Sequence, residues 1–254
     1  PPRCMPGAAD DILRTLEALG FAWQGEVLFQ GTRREAYEEM LDRLTRAGHT
    51  FPCACSRREV ADSILGPHGE HVYPGTCRGG LGGRAARSIR VRVGTELIVF
   101  DDAIQGLQRE SLAASVGDFV LRRADGLFAY QLAVVTDDAA QGITHVVRGA
   151  DLLGSTARQI WLQRLLGLPT LSYAHVPVVA DTSGQKLSKQ TRAPRIDPSR
   201  PAAALVRALE FLGQGPPDHL TRATAEEVWS WVREHGSLGA VPRVTSALQP
   251  DARV

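Results

Sequence analysis

Two clusters in this 254-residue chain carry side chains able to do chemistry. The first is Lys186-Leu187-Ser188-Lys189-Gln190, preceded by Asp181-Thr182-Ser183-Gly184-Gln185. Two lysines on one tight loop, with a hydroxyl and a glycine nearby, supply mobile point charges suited to nucleotide phosphates, where charge develops during displacement at phosphorus. Taken alone, the same composition also describes a solvated basic loop. The second cluster is Cys53-Ala54-Cys55 followed by Tyr73-Pro74-Gly75-Thr76-Cys77. Three thiols close together, in a segment without helical or strand periodicity, suit a structural Zn2+ whose closed tetrahedral site orders the loops. Generic zinc chemistry nominates His68 or His71 as the fourth ligand, because sites of three cysteines and one histidine are common. Cys4 stands apart and reads as a free thiol.

These clusters need a scaffold, and the composition is that of an ordinary one. Hydrophobic residues make up 43% and charged residues 22%, which excludes a disordered chain. The length suits one large or two modest domains with a proper core. No apolar run approaches the roughly 18 residues that a membrane-spanning helix needs. Basic and acidic side chains number 29 and 28, a formal charge of +1, so a nucleic-acid surface has to be a local patch. Arg84, Arg87, Arg90 and Arg92 form a candidate cluster. Grouped cysteines without a secretory leader pattern read as a cytoplasmic protein.

Residues 9–19 place Ile12, Leu13, Leu16 and Leu19 at helical spacing, with Gly20 as the stop. Thr32-Arg33-Arg34-Glu35 has the form of a capping box, followed by the stripe Tyr37, Met40, Leu41 and Leu44 and closed by Gly48. Residues 23–30 between them read as a short connection or strand. Ile89, Val91 and Val93 alternate with Arg90 and Arg92 as a half-exposed strand, and 96–100 continues that sheet. Asp125-Gly126 signals a hairpin between 119–122 and a second arm starting at Leu127. Residues 142–148 read as a buried strand, 155–166 as a helix stopped by Gly167, and 173–180 as another buried strand. That order suggests a parallel α/β layer. Beyond residue 190 the pattern turns helical, with Pro201 in a first turn, 202–212 ending at Gly213, and a second capping box, Thr224-Ala225-Glu226-Glu227, before 228–235.

The lysine loop resembles the Lys-Met-Ser-Lys-Ser signature of class I aminoacyl-tRNA synthetases, in the Lys-Leu-Ser-Lys form of the glutamate-specific branch. Residues 128–138 and 141–151 are similar to the core of that branch almost position by position, and the resemblance extends over nearly the whole chain up to Gln190. It implies an α/β protein: a Rossmann-like class I catalytic domain with a zinc-binding insertion and a small C-terminal helical tail. The implied division is catalytic domain at 1–50 and 121–190, insertion at 51–120, and tail at 191–254. Tyr130 and Arg148 are implied to contact the glutamate substrate. The chemistry suits them, since a guanidinium grips a carboxylate with two parallel hydrogen bonds and a phenol adds an orienting donor. Lys186, Ser188 and Lys189 are implied to bind ATP, with Lys189 catalytic and Mg2+ accompanying the nucleotide. Asp137 and Asp138, an acidic pair at an element end, are expected to be structural.

The cysteine pattern is similar to the zinc site of the glutamyl-queuosine tRNA synthetases, where two cysteines one residue apart are joined by a tyrosine and by a cysteine four positions later. The implied ligands are therefore Cys53, Cys55, Tyr73 and Cys77, with His71 the alternative to Tyr73. The 64 residues after Gln190 leave room for a few short helices, whereas glutamyl- and glutaminyl-tRNA synthetases carry a long anticodon-reading extension. The implied activity is ATP-dependent activation of glutamate and its transfer to queuosine in the anticodon loop of the aspartate tRNA, by a monomer. A truncated glutamyl-tRNA synthetase charging the 3′ end and a non-catalytic RNA-binding paralogue are the alternatives. The family's first strand, phosphate-binding His-x-Gly-His-type turn and first helix are expected before Pro1, about 40 residues by typical element lengths.

Overall fold

The computed structural model describes residues 5–67, 69–182, 184, 186–187 and 195–248. Two helices lead: α1 (Ala8–Ala18) and α2 (Arg34–Arg46). Gly20 ends the first with a left-handed φ of 78°, in a place where a Cβ would stand 3.0 Å from the Trp229 ring. A glycine there lets the chain reverse against the indole, whose Nε1 donates to Leu19 O at 2.7 Å. The capping box expected at Thr32 does not form. Thr32 sits in a 3-10 turn, its hydroxyl donates back to Phe29 O at 2.9 Å, and the helix starts after Arg33 with no side-chain cap. Residues 23–29 form no strand.

The cysteine-bearing segment follows as β1 (Thr50–Cys53), α3 (Arg57–Ala61) and β2 (Ser88–Val91), then β3 (Leu97–Asp102), β4 (Gly106–Ser111), α4 (Leu112–Ser115) and β5 (Val120–Arg122). The second half runs α5 (Tyr130–Ala140), β6 (His145–Gly149), α6 (Leu153–Leu166), β7 (Ser172–Val176) and β8 (Val178–Ala180). It ends with α7 (Pro201–Phe211), α8 (Ala225–His235) and β9 (Ser246–Leu248). The Thr224 capping box is present, with Thr224 Oγ1 accepting from Glu227 N and the Glu227 side chain accepting from Thr224 N.

Three sheets result. β1-β2-β5 is antiparallel, β4-β3-β7-β6 is mixed, and β8-β9 is parallel. β6 and β7 pair in parallel over five residues, from His145 opposite Ser172 to Gly149 opposite Val176, with α6 as the crossover. This is the α/β layer the sequence suggests. Several details differ from expectation. β3 does not continue the sheet of β2; it pairs with β4 and, in parallel, with β7, so 97–111 joins the main sheet. The hairpin at Asp125-Gly126 closes with a single bridge, Arg122 to Phe128, because α5 begins two residues later. Pro177, which has no N–H to give a ladder, divides the 173–180 segment into β7 and β8. The 142–148 strand is not buried: β6 is the edge of its sheet among the described residues, and Val147 is 69% exposed.

The main core lies where α2, α5 and α6 cover the sheet, with Leu44, Ile98, Leu121, Leu132, Ile160 and Leu162 fully buried. A second cluster joins Leu19 to Leu205, Val206, Leu220 and Val228 of the C-terminal helices. No described helix is long and apolar enough to cross a membrane.

Candidate functional site

Tyr130 and Arg148 lie 18 residues apart in sequence, and the fold brings their heads together. Tyr130 is the first residue of α5, where the helix has not yet closed over its side chain, and it is 44% exposed. Arg148 is the penultimate residue of β6, at the carboxyl end of a parallel strand, where α/β sheets bind ligands. Nη1 of Arg148 approaches the Tyr130 hydroxyl at 3.4 Å. Its Nη2 donates to Thr156 Oγ1 at 2.8 Å, and its Nε to His175 Nε2 at 3.0 Å. The result is a half-exposed guanidinium beside a phenol, an arrangement suited to a carboxylate.

The two aspartates of α5 differ in role. Asp137 is buried and accepts from Gln30 Nε2 (2.9 Å), Arg33 Nε (2.6 Å) and Tyr37 Oη (2.8 Å), so it ties the N-terminal segment to α5. These bonds also explain the failed capping box, because they hold Gln30 and Arg33 in the turn that precedes α2. Burial raises the Asp138 pKa, partly offset by the charge of Arg148.

Lys186 is placed by an isolated antiparallel bridge to Ala180 at the end of β8, and its ammonium pairs with the Asp151 carboxylate. Asp151 follows β6 and precedes α6, so this contact carries Lys186 to the same sheet end as Arg148. A cleft of about 800 Å3 opens beside the pair, lined by Asp151, Leu152, Ser155 and Val178, among others, a size common for small-molecule sites. Ser188 and Lys189 lie outside the described residues, as do Cys4 and His68.

In the cysteine cluster, Cys53 ends β1, Cys55 follows two residues later, and Tyr73 and Cys77 come from one tight loop. Sγ of Cys55 and Sγ of Cys77 are 3.6 Å apart, and the Tyr73 hydroxyl lies 3.4 Å from Cys53 Sγ and 3.8 Å from Cys55 Sγ. A tetrahedral zinc with its usual bond lengths requires edges of about 3.8 Å between sulfurs and about 3.5 Å from sulfur to oxygen. The donor set fits the ion. The three sulfurs form the one metal-competent group of cysteine, histidine and acidic side chains found among the described residues. His71 is not part of this group, and its Nδ1 lies 3.0 Å from Ser63 O.

The surroundings hold this cluster in shape. Ala54 N donates to Cys77 Sγ at 3.4 Å and Cys77 N to Tyr73 Oη at 2.9 Å. Gly117, at a φ of 65°, lets its backbone approach Tyr73 so closely that a Cβ would fall 2.4 Å from Tyr73 O. Burial raises the pKa of the Cys53 thiol, but hydrogen bonds from Tyr73 and Arg90 together outweigh it and bring it down to about 7. Of the candidate arginine cluster only Arg90 is absorbed here, while Arg84 and Arg87 stay exposed. Arg90 is buried, donates to Cys53 Sγ (3.3 Å) and Asp118 O (2.7 Å), and lies 3.8 Å over the Tyr73 ring. Arg92 lies 4.9 Å over the Phe51 ring, and Arg84 pairs with Glu59 at 2.8 Å. Arg87 borders a separate groove near Cys55.

Thr156 and His175, which hold Arg148 from behind, and Asp102, which holds His175, escaped the sequence reading. The available signal was a histidine in the middle of an otherwise apolar strand: His175 is fully buried within β7. Burial pushes its pKa down despite the opposing pull of Asp102.

A family model described as the catalytic domain of class I tRNA synthetases (E and Q) matches residues 77–230. A protein of Dechloromonas aromatica (strain RCB), named Glutamyl-Q tRNA(Asp) synthetase, is 60% identical over 252 residues, covering 98% of this chain and 84% of its own length. One of the same name from Geobacter sulfurreducens (strain ATCC 51573 / DSM 12127 / PCA) is 52% identical over 250 residues, covering 95% and 80%. Among solved structures, a glutamate-tRNA synthetase from Elizabethkingia anophelis superposes with a TM-score of 0.73 at 20% identity, over 96% of this chain. The present chain spans 58% of that longer protein, and the likeness bears on the fold alone. Sequence identity, family match and the α/β sheet with its crossover agree: the chain belongs to the class I tRNA synthetases of the glutamate and glutamine type.

Proposed function

We propose that this protein activates glutamate with ATP and transfers it to queuosine in the anticodon loop of the aspartate tRNA. The names of its relatives point to this activity, and one feature of the structure carries it chemically: the Arg148 guanidinium beside the Tyr130 hydroxyl at the end of β6. The α-carboxylate of glutamate must react. The grip of Arg148 and Tyr130 therefore falls on the side-chain carboxylate, which separates glutamate from glutamine by charge. The α-carboxylate oxygen attacks the α-phosphorus of ATP and pyrophosphate leaves. A hydroxyl of queuosine then attacks the acyl carbon, and AMP leaves.

Lys186 and Lys189, with Ser188, supply the positive charge and hydrogen bonds that the phosphates need as negative charge builds on them. Mg2+ bound with ATP adds charge neutralisation. Cys53, Cys55, Tyr73 and Cys77 hold a structural zinc, since four protein ligands leave no open position for a reacting water. The protein acts as a cytoplasmic monomer. Radiolabelled glutamate supplied with ATP and unfractionated tRNA tests the reading. Label should enter tRNA from cells that make queuosine and not tRNA from cells that lack it; equal labelling of both would return the protein to ordinary glutamyl-tRNA synthetases.

A further inference from the structure

A buried chain of polar side chains stands behind Arg148. Asp102 ends β3, and His175 lies beside it on β7; their exposures are 2% and 0%. Oδ1 of Asp102 accepts from the backbone N–H of Ile104 (3.1 Å), Gln105 (2.9 Å) and His175 (3.1 Å), which favours the ionised carboxylate. Its Oδ2 lies 2.5 Å from Nδ1 of His175. A carboxylate only accepts, so Nδ1 carries the proton. On the far side of the ring, Nε of Arg148 donates to Nε2. A guanidinium only donates, so Nε2 is bare, and the ring is neutral imidazole in a single tautomer.

This tautomer decides which donors of Arg148 remain for a ligand. A guanidinium offers a side-on fork, Nε with Nη2, and an end-on fork, Nη1 with Nη2. His175 takes Nε, and Thr156 Oγ1 takes Nη2 while lying 3.2 Å from His175 Nε2. The protein thus fills the side-on fork, and the end-on fork lies toward Tyr130.

We propose that Asp102 and His175 are positioning residues for the amino-acid substrate: by locking the imidazole with its proton on Nδ1, they occupy Nε of Arg148 and commit its end-on fork, with Tyr130, to the glutamate carboxylate. The proposal rests on Arg148 being the glutamate anchor. A ring carrying its proton on Nε2, or on both nitrogens, sets a donor against a donor and turns the guanidinium away. Coupling between β3 and β7 therefore reaches the substrate through one hydrogen bond.

Pyrophosphate exchange by the full-length protein, with KM measured separately for glutamate and ATP, tests this. In His175→Asn the amide reaches the place of Nδ1 and keeps Asp102, but falls short of Arg148. In His175→Gln the amide oxygen reaches the place of Nε2. Asp102→Asn sets an amide N–H opposite Nδ1 and favours the other tautomer. His175→Asn and Asp102→Asn should each raise the glutamate KM about tenfold or more, as expected for a lost bond to a charged group. The ATP KM should stay within roughly twofold, and His175→Gln should recover the glutamate KM to within about threefold of the parent. Parallel rises in both KM values, a glutamine variant as poor as the asparagine one, or an unmoved glutamate KM in Asp102→Asn would overturn the proposal. Arg148→Lys separates the two levels. If it leaves the glutamate KM unchanged, the anchor itself is wrong; if it raises the KM while the histidine and aspartate variants do not, only the positioning role falls.

Discussion

At Cys55 a single sulfur lies within contact range of both Cys77 and Tyr73, other members of the proposed zinc site. Under the proposed zinc site, replacing that thiol with a hydroxyl takes one strong ligand from a segment that has little other core, since its buried cluster is mainly Phe51, Ala54 and the proposed ligands themselves. Cys55→Ser should therefore lose bound zinc by elemental analysis and melt about 10 °C lower or more. Tyr73→Phe should weaken zinc binding in a chelator competition; full stoichiometry at undiminished affinity would put His71 in the ligand set. The role proposed for Lys189 makes a different demand, because it needs the charge only as the phosphates react. Lys189→Ala should slow pyrophosphate exchange by about 10²–10³-fold and leave the melting temperature unchanged. The cysteine grouping was legible because its members are close in sequence, whereas Tyr73 and the lysines stood out only through the resemblance to the synthetase family. Asp102 and His175 were not legible, because the pairing of β3 with β7 unites strands 73 residues apart and no local period records it.

Between elements, Asp137 links the N-terminal segment to α5 through Gln30, Arg33 and Tyr37. Burial, followed by the hydrogen bond to Asp137, pushes the Tyr37 pKa up to about 12. A phenol raised above its ordinary value near 10 favours the folded state while neutral. That contribution, about 2–3 kcal/mol, is complete below pH 10 and is lost as pH rises from 10 to 12. Denaturant titrations should show the parent losing its advantage over Tyr37→Phe across that interval, on top of a cost of about 1–2 kcal/mol for the variant at neutral pH. An unchanged gap between the two proteins at pH 8 and pH 12 would show that Tyr37 does not ionise with this penalty. The same contact shows where local patterns stop informing. Thr32-Arg33-Arg34-Glu35 and Thr224-Ala225-Glu226-Glu227 have the same form, yet only the second caps a helix. Asp137 claims Arg33 from 104 residues away, and a bond of that separation overrides a motif four residues long.

Across the molecule, the cysteine-bearing sheet β1-β2-β5 meets the catalytic layer through β3, which pairs with β7 on one side and β4 on the other, and through Arg158 of α6, which holds Glu70 with two bonds. The alternation at 89–93, continued by 96–100, predicted one continuous sheet; the chain changes sheets between β2 and β3 instead, because β3 is drawn into parallel register beside the strand that carries His175. The α/β order was legible from strand, helix and strand in sequence, whereas this crossing between sheets was not. It sets Tyr130, Arg148 and Lys186 at one sheet end, where Asp151, the partner of Lys186, also borders a cleft. A single-stranded loop can be splayed over such an end, presenting one modified base to the activated glutamate, as proteins commonly read RNA loops. A 3′ terminus is then unnecessary. Aspartate tRNA trimmed of its terminal adenosine should accept glutamate as well as the intact molecule does, and nuclease mapping should place the label in the anticodon-loop fragment. Loss of acceptance on trimming, with label recovered on the terminal adenosine of intact tRNA, would instead mean that this sheet end receives the acceptor strand, and that the loop binds elsewhere.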